Sequence, residues 1–234
     1  CIAMGVFLLI YDWHLFRIHL KDLWCFLGTG IMSIVFFNYC YFKAMTVASL
    51  SVAAVLLYTA PAIVMVLSYF LFQEAFTKQK VLALLLTFIG CILVTGVITN
   101  PGTVTGAGIL AGLGAGFGYA LYSIFGRYAI EKGYHTFTIT FYTFLFAALG
   151  TWIFTDQRRI FSVATGNTGN LLVCLSLGIL GTVVPYLTYT LGLKYVDNSR
   201  ASIIASVEPV TATILGVVLF HERISVSGVL GIVL

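Results

Sequence analysis

The sequence predicts an all-α membrane fold: a polytopic helical bundle of two inverted five-helix repeats, with about nine helices present in whole or in part. Three observations predict it. First, 60% of the 234 residues are apolar and only 9% are Asp, Glu, Lys or Arg. Soluble domains carry about 25% charge, so this chain cannot give its helices polar outer faces. Its 19 Phe and 13 Tyr are equally foreign to disordered chains. Second, charge is absent from 23–42, 44–73, 81–126, 133–155 and 160–193. A helix that crosses a bilayer needs about 20 apolar residues, and these runs lack the alternation of barrel strands. Third, residues 37–86 align with 185–234 at an offset of 148, with eleven of 50 positions identical. The identities include Pro61/Pro209 and Glu74/Glu222, two residue types that are rare in this chain.

Helices are expected at about 1–10, 24–45, 50–72, 80–99, 105–127, 135–155, 171–193, 200–220 and 227–234. The first has neither a basic leader nor a polar cleavage site, so it reads as a truncated helix and not a signal peptide. With Cys1 in place of Met and Leu234 inside an apolar run, the chain reads as a fragment cut at both ends. The run 81–126 would be about 69 Å long as one helix. It is therefore two spans, turned at Asn100, Pro101 and Gly102. In the second of these, Gly108, Gly112 and Gly116 recur every four residues, as do Gly114 and Gly118, a spacing that lets helices pack closely in lipid. The loose dinucleotide fingerprint from Gly106 to Ala111 lacks a βαβ setting and is set aside. The longest connector, 156–170, is rich in Thr, Gly and Asn and is expected as a loop.

Five helices separate the two copies, and because five is odd, the second copy enters the membrane in the opposite sense. Repeats are thus expected over 1–99 and 105–234. Opposed halves can exchange conformations, so that a central site opens to one side and then the other, as in secondary transporters. Alternate connectors hold Arg17, Lys21, Lys78, Lys80, Arg127, Lys132, Lys194 and Arg200 on one side, against Lys43, Arg158, Arg159 and Arg223 on the other. Eight against four places the first set in the cytoplasm.

Ala60-Pro61 with Glu74, and Glu208-Pro209 with Glu222, resemble the EamA-type pattern of the drug/metabolite transporters. The stretch ASIIASVEPV at 201–210, followed by Phe220, His221 and Glu222, is the most specific part. The resemblance covers about residues 24–234. It implies ten helices in two five-helix repeats with both termini cytoplasmic, and export of small metabolites such as amino acids. By that template the first helix, the start of the second and most of the tenth are missing.

Glu208 is the sharpest candidate site residue. It sits inside the 200–220 span, where an acid costs about 2.5–3.5 kcal/mol and therefore faces a cavity or a partner. Pro209 removes an N–H and opens the helix beside it. Such a carboxylate binds a proton, a cation or an ammonium group; the alternative is a paired acid that pins two helices. Pro61 is the symmetry mate, but Ala60 precedes it. Glu74 and Glu222, at helix ends, read as structural caps. Asn38 and Tyr41, Tyr119 and Tyr122, and Tyr186 and Tyr189 are each spaced i, i+3 on one face. Deep phenols either line a cavity, stacking on and hydrogen-bonding an organic solute, or form ordinary interhelical bonds.

The expected function is secondary transport of a small organic, amino-acid-like or drug-like solute by alternating access, with export as its direction. Glu208, Tyr119, Tyr186, Tyr189, Asn38 and Tyr58 are the expected substrate-binding residues, and Pro61 and Pro209 the hinges. The expected partners are the lipid bilayer, the solute and H+ as coupling ion, with a homodimer left open. The expected location is the plasma (inner) membrane. The alternatives are an exchanger of nucleotide sugars or phosphate esters, which would favour Lys43 or Arg127 at the site, and a bundle without flux. An enzyme is not expected, because no nucleophile–base pair or second acid lies mid-span. Five cysteines without a CxxC and four histidines without HExxH argue against a metal, and no cofactor is expected. A dispersed net charge of +4 argues against nucleic acid.

Overall fold

The computed structural model describes residues 1–97, 104–221 and 225–234. The described residues form fourteen α-helices with short 3-10 and π segments. In chain order these are α1 (Ile2–Tyr11), α2 (Leu23–Leu27), α3 (Phe36–Val47), α4 (Leu50–Leu57), α5 (Ala60–Phe72), α6 (Lys78–Val94) and α7 (Gly106–Glu131). They continue with α8 (Thr136–Trp152), α9 (Gln157–Thr165), α10 (Thr168–Gly178), α11 (Val184–Gly192), α12 (Asn198–Ala205), α13 (Glu208–Phe220) and α14 (Val226–Val233). Several of these join into longer runs. Leu20–Val47, Leu50–Phe72, Gly106–Glu131, Thr168–Gly192 and Asn198–Leu219 are long and apolar enough to cross a bilayer. The chain is a multi-pass helical membrane protein, as its composition requires.

One expectation fails. The connector 156–170 is not all loop, since it contains α9. Asp156 starts that helix, its Oδ1 accepting from the backbone N–H of Arg158 at 3.1 Å and of Arg159 at 3.2 Å. The Gly and Asn that made the segment look irregular lie beyond Thr165. The expected turn at Asn100, Pro101 and Gly102 lies outside the described residues.

The internal repeat reaches the backbone. Two π segments, Gly28–Val35 and Ile179–Val183, end at equivalent positions. α3 and α11, α4 and α12, and α5 and α13 then begin at residues that differ by the same offset as Pro61 and Pro209. α5 ends at Gln73 (φ 56°) and α13 at His221 (φ 54°), the only non-glycine residues of positive φ among those described. α6 and α14 are capped by hydroxyls, Thr77 accepting from the Lys80 N–H and Ser225 from the Gly228 N–H.

Contacts divide the chain into two compact units, and each draws on residues from both sides of position 100. The first comprises Cys1–Val35 and Phe125–Tyr195. Its core is Cys25, Phe26, Ala129 and Ile139. The π segment after α2 lies close against α8: a β-carbon on Gly30 would stand 2.8 Å from the Thr143 carbonyl. The buried Thr143 hydroxyl donates to Thr29 Oγ1 at 2.6 Å. Small residues and hydroxyl bonds hold helices together where lipid removes the hydrophobic drive. An ion pair between Lys132 and Asp22 (2.6 Å) ties α7 to the start of α2.

The second unit comprises Phe36–Ile124 and Val196–Leu234. Here the α7 glycines pack as expected, on two faces. A β-carbon on Gly108 would stand 2.8 Å from Ala48, on Gly112 2.5 Å from Leu56, and on Gly116 2.7 Å from Thr59 Oγ1. Gly114 and Gly118 face α3 instead, at 3.1 Å from Cys40 and 3.0 Å from Phe36. α6 and α14 cross at a glycine pair, where a β-carbon on Gly231 would meet the Gly90 carbonyl at 2.7 Å.

Candidate functional site

The site is built on two helix breaks in the second unit. Proline at position i cannot donate to the carbonyl at i−4, so Pro61 leaves Leu57 and Pro209 leaves Ala205 without that bond. The helices respond identically. α4 ends at Leu57 and Tyr58 follows at φ −72°, ψ 6°. α12 ends at Ala205 and Ser206 follows at φ −69°, ψ 2°. Each helix resumes two residues later, with proline in its first turn, where a missing N–H costs nothing.

Side chains then set the breaks apart. In the first, Thr59 Oγ1 donates to the Leu56 carbonyl at 2.6 Å. α7 presses on the same backbone, since a β-carbon on Gly116 would stand 3.0 Å from the Leu56 carbonyl oxygen. In the second, Val207 replaces that threonine and Glu208 replaces Ala60. Glu208 is exposed, and among the described residues it makes no hydrogen bond and no ion pair. The paired, helix-pinning alternative for this acid therefore has no partner among them.

Tyr58, Pro61, Tyr119, Ser202, Ser206 and Glu208 line one recess, so both breaks open onto it. Its cavity measures about 10 Å³, room for about one water molecule. Ser202 and Ser206 donate their hydroxyls back to the carbonyls of Ser199 (3.0 Å) and Ser202 (3.2 Å), which turns their lone pairs outward as acceptors. The site offers one carboxylate, two phenols and two hydroxyls, a donor set for a proton or an ammonium group and not for an anion.

Of the residues expected at the site, Glu208, Tyr119, Tyr58 and Pro61 meet in this recess. Pro209 lines a neighbouring groove of about 240 Å³ between α6, α13 and α14, which also reaches Ser206. Asn38 is half-buried on α3 and does not line the recess. Tyr186 and Tyr189 belong to α11 in the other unit, both half-buried, and Tyr186 meets Phe144 edge-on at 5.4 Å. Sequence reasoning missed Ser202 and Ser206. Their i, i+4 spacing and the repeat partnership of Ser206 with Tyr58 were the available signals.

Glu74 is a cap, as expected, but of a distant helix. Its Oε1 accepts from the Asn198 N–H at 2.8 Å, and its Oε2 accepts from the Ser199 N–H at 3.2 Å and from the Ser199 hydroxyl, closing the start of α12. Buried Lys80 stands 3.1 Å from Asp197 and 3.7 Å from Glu74. Glu222 lies outside the described residues. The anion-binding candidates are already engaged or peripheral. Arg127 bonds Glu131 at 3.0 Å and the Leu193 carbonyl at 2.9 Å, and exposed Lys43 rests 6.0 Å from the Tyr39 ring. Among the described residues no cluster of His, Cys, Asp and Glu could hold a metal ion.

The sequence model of the EamA-like transporter family matches residues 1–96 and 106–234. An uncharacterized transporter of Archaeoglobus fulgidus is 30% identical over 191 residues, 82% of this chain and 66% of the relative. One from Clostridium kluyveri is 30% identical over 199 residues (81% and 62%), and one from Bacillus subtilis 28% over 202 (85% and 63%). The chain thus spans less than two thirds of the length of these relatives. One solved crystal structure of a protein superposes with a TM-score of 0.78 at 20% identity, covering 98% of this chain and 78% of that one, which speaks for the fold alone.

Proposed function

Because the chain belongs to the EamA-like transporter family, a family of transporters and not of enzymes, we propose that it is the greater part of a secondary transporter. It exports a small organic solute across the plasma (inner) membrane by alternating access between two repeats of opposite sense, 1–99 and 105–234. The breaks at Pro61 and Pro209 are its hinges. Glu208 receives a proton or the ammonium group of the solute, while Tyr58 and Tyr119 form the adjoining wall; Asn38, and in the other unit Tyr186 and Tyr189, are further proposed substrate-binding residues. H+ is the coupling ion, and a homodimer is compatible with the large exposed apolar surface.

The observation that carries this reading is the Glu208 carboxylate, without a partner among the described residues, at an opened helix in a recess that hydroxyls and phenols line. An acid inside a span without a structural partner is a functional group by default. The engagement of Arg127 by Glu131 and the Leu193 carbonyl counts against the phosphate-ester alternative.

The test uses proteoliposomes of the full-length protein loaded with a pH-sensitive dye. Addition of amino acids or amines should move protons across the membrane in the wild type. Glu208→Gln should reduce that proton flux to background while the protein still folds. Unchanged proton-linked flux in Glu208→Gln would sink the coupling role, and flux of phosphate esters alone would move the reading to the exchanger.

A further inference from the structure

Helix α9 does not pack its apolar side on the protein. At about 100° per residue, Val163, Ile160, Ala164 and Phe161 fall on one side, where Gln157 at the first position is the one polar residue, and Arg158, Ser162 and Arg159 fall on the other. An amphipathic helix of a soluble protein would turn the first side inward. Here Ile160 and Val163 are each 53% exposed and Phe161 70%, and no residue of the helix is buried. The preceding turn is equally open, with Trp152, Ile153 and Phe154 exposed at 64%, 80% and 76%.

The axis of α9 is bent 113° from that of α8. With α8 crossing the bilayer, α9 runs near the plane of its surface. Asp156 and the bond from Gln157 Nε2 to the Trp152 carbonyl (3.4 Å) fix the corner, and Asn170 Nδ2 donates to the Val163 carbonyl at 3.0 Å to close the far end. Among the described residues, neither the Arg158 nor the Arg159 guanidinium has a hydrogen bond or ion pair. The side chains of Lys80, Arg127, Lys132 and Arg200 have one, whereas those of Lys21, Lys78 and Lys194, like the two arginines, have none among the described residues.

We propose that α9 is an interfacial helix that seats Ile160, Phe161 and Val163 among the outer acyl carbons and binds anionic phospholipid headgroups through Arg158 and Arg159. The occupant is lipid because the apolar side is continuous with the membrane-facing end of α8, and because two adjacent guanidinium groups on the opposite side of the same helix, unpaired among the described residues, match phosphate-bearing headgroups. Each arginine near an anionic surface is worth about fivefold in lipid preference at moderate salt.

Two measurements on the full-length protein test this. In the first, Phe161→Cys in a Cys174→Ser background carries a fluorophore in vesicles of phosphatidylcholine mixed with phosphatidylglycerol. Bromines placed near the headgroups should quench it most. Strongest quenching by aqueous iodide, or by bromines at the acyl ends as a re-entrant loop would give, overturns the interfacial placement. In the second, phosphatidylglycerol should raise the melting midpoint in nanodiscs relative to phosphatidylcholine alone, and added salt should erase the rise. Arg158→Gln with Arg159→Gln should lose most of it while melting normally in phosphatidylcholine. An equal rise in the double variant overturns the headgroup assignment.

Discussion

Leu50–Phe72 and Asn198–Leu219 stop and restart at equivalent residues, yet the residue before proline is buried Ala60 in one and exposed Glu208 in the other. The backbone angles after α4 and α12 agree within a few degrees. Proline alone is therefore enough to open the helix, and the acid is an addition to that geometry and not its cause. At the first break Thr59 bonds the Leu56 carbonyl, and Gly116 brings α7 onto the same backbone. The second keeps a carboxylate facing a recess. The first break contributes Tyr58 and Pro61 to that recess, and the second contributes its acid.

The largest effect should come from erasing that difference. Ala60→Glu places an acid where the side chain is 2% exposed, and unfolding in mixed micelles should show a loss of about 3 kcal/mol. Unaltered stability would mean that the first break has room for a charge and that the contrast is accidental. Glu74→Ala should cost about 2–3 kcal/mol, since it uncaps α12 and leaves Lys80 buried with Asp197 as its remaining acid. Adding Lys80→Met should recover part of the loss in the same unfolding measurement.

The contact of α7 with the first break is tested by Gly116→Ala, whose new methyl would meet Thr59 Oγ1 at 2.7 Å and should cost about 1–3 kcal/mol. Gly106→Ala, at the open start of the same helix, meets nothing within 4 Å and should be neutral or stabilising by up to about 1 kcal/mol. Equal effects at the two sites would show that α7 does not press on the break.

The smallest effect concerns pH. The N-caps matched between the copies, Thr77 and Ser225, are hydroxyls and do not titrate, whereas His135 caps α8 by accepting from the Phe137 N–H at 3.3 Å and must be neutral to do so. Burial, and then the charge of Lys194, hold its pKa below the ordinary 6.5. The unfolded chain therefore takes up the proton first, so stability is full above about pH 6.5 and falls slightly as pH drops through that value. Melting of wild type and His135→Asn across this range should show the dependence in the wild type only.

How much of this was legible in the sequence follows from which interactions are local. The helices at 50–72 and 200–220 announced themselves because a bilayer demands long uncharged runs and proline opens a helix wherever it falls. The close-packing faces of α7 were readable for the same reason, since glycines four apart must share a side. Helix α9 was hidden by a connector that looked like loop in bulk, although Asp156 and the two arginines mark its start. The role of Glu74 was half visible: a cap follows from an acid near a helix end, but its helix lies more than a hundred residues away.

Chain chemistry alone sufficed for the membrane class, the order of the helices, the twofold repeat and the isolation of one acid within a span. Each rests on a requirement that acts over a few residues: apolar length, a missing N–H, the cost of charge in lipid. Folding in three dimensions decided that Tyr58, Tyr119, Ser202, Ser206 and Glu208 converge, that Thr59 and Gly116 meet at one break, and that α9 turns its apolar side away from the protein. Those outcomes depend on which residues meet across long stretches of chain, and in a sequence so uniformly apolar many such meetings look alike until the backbone has chosen among them.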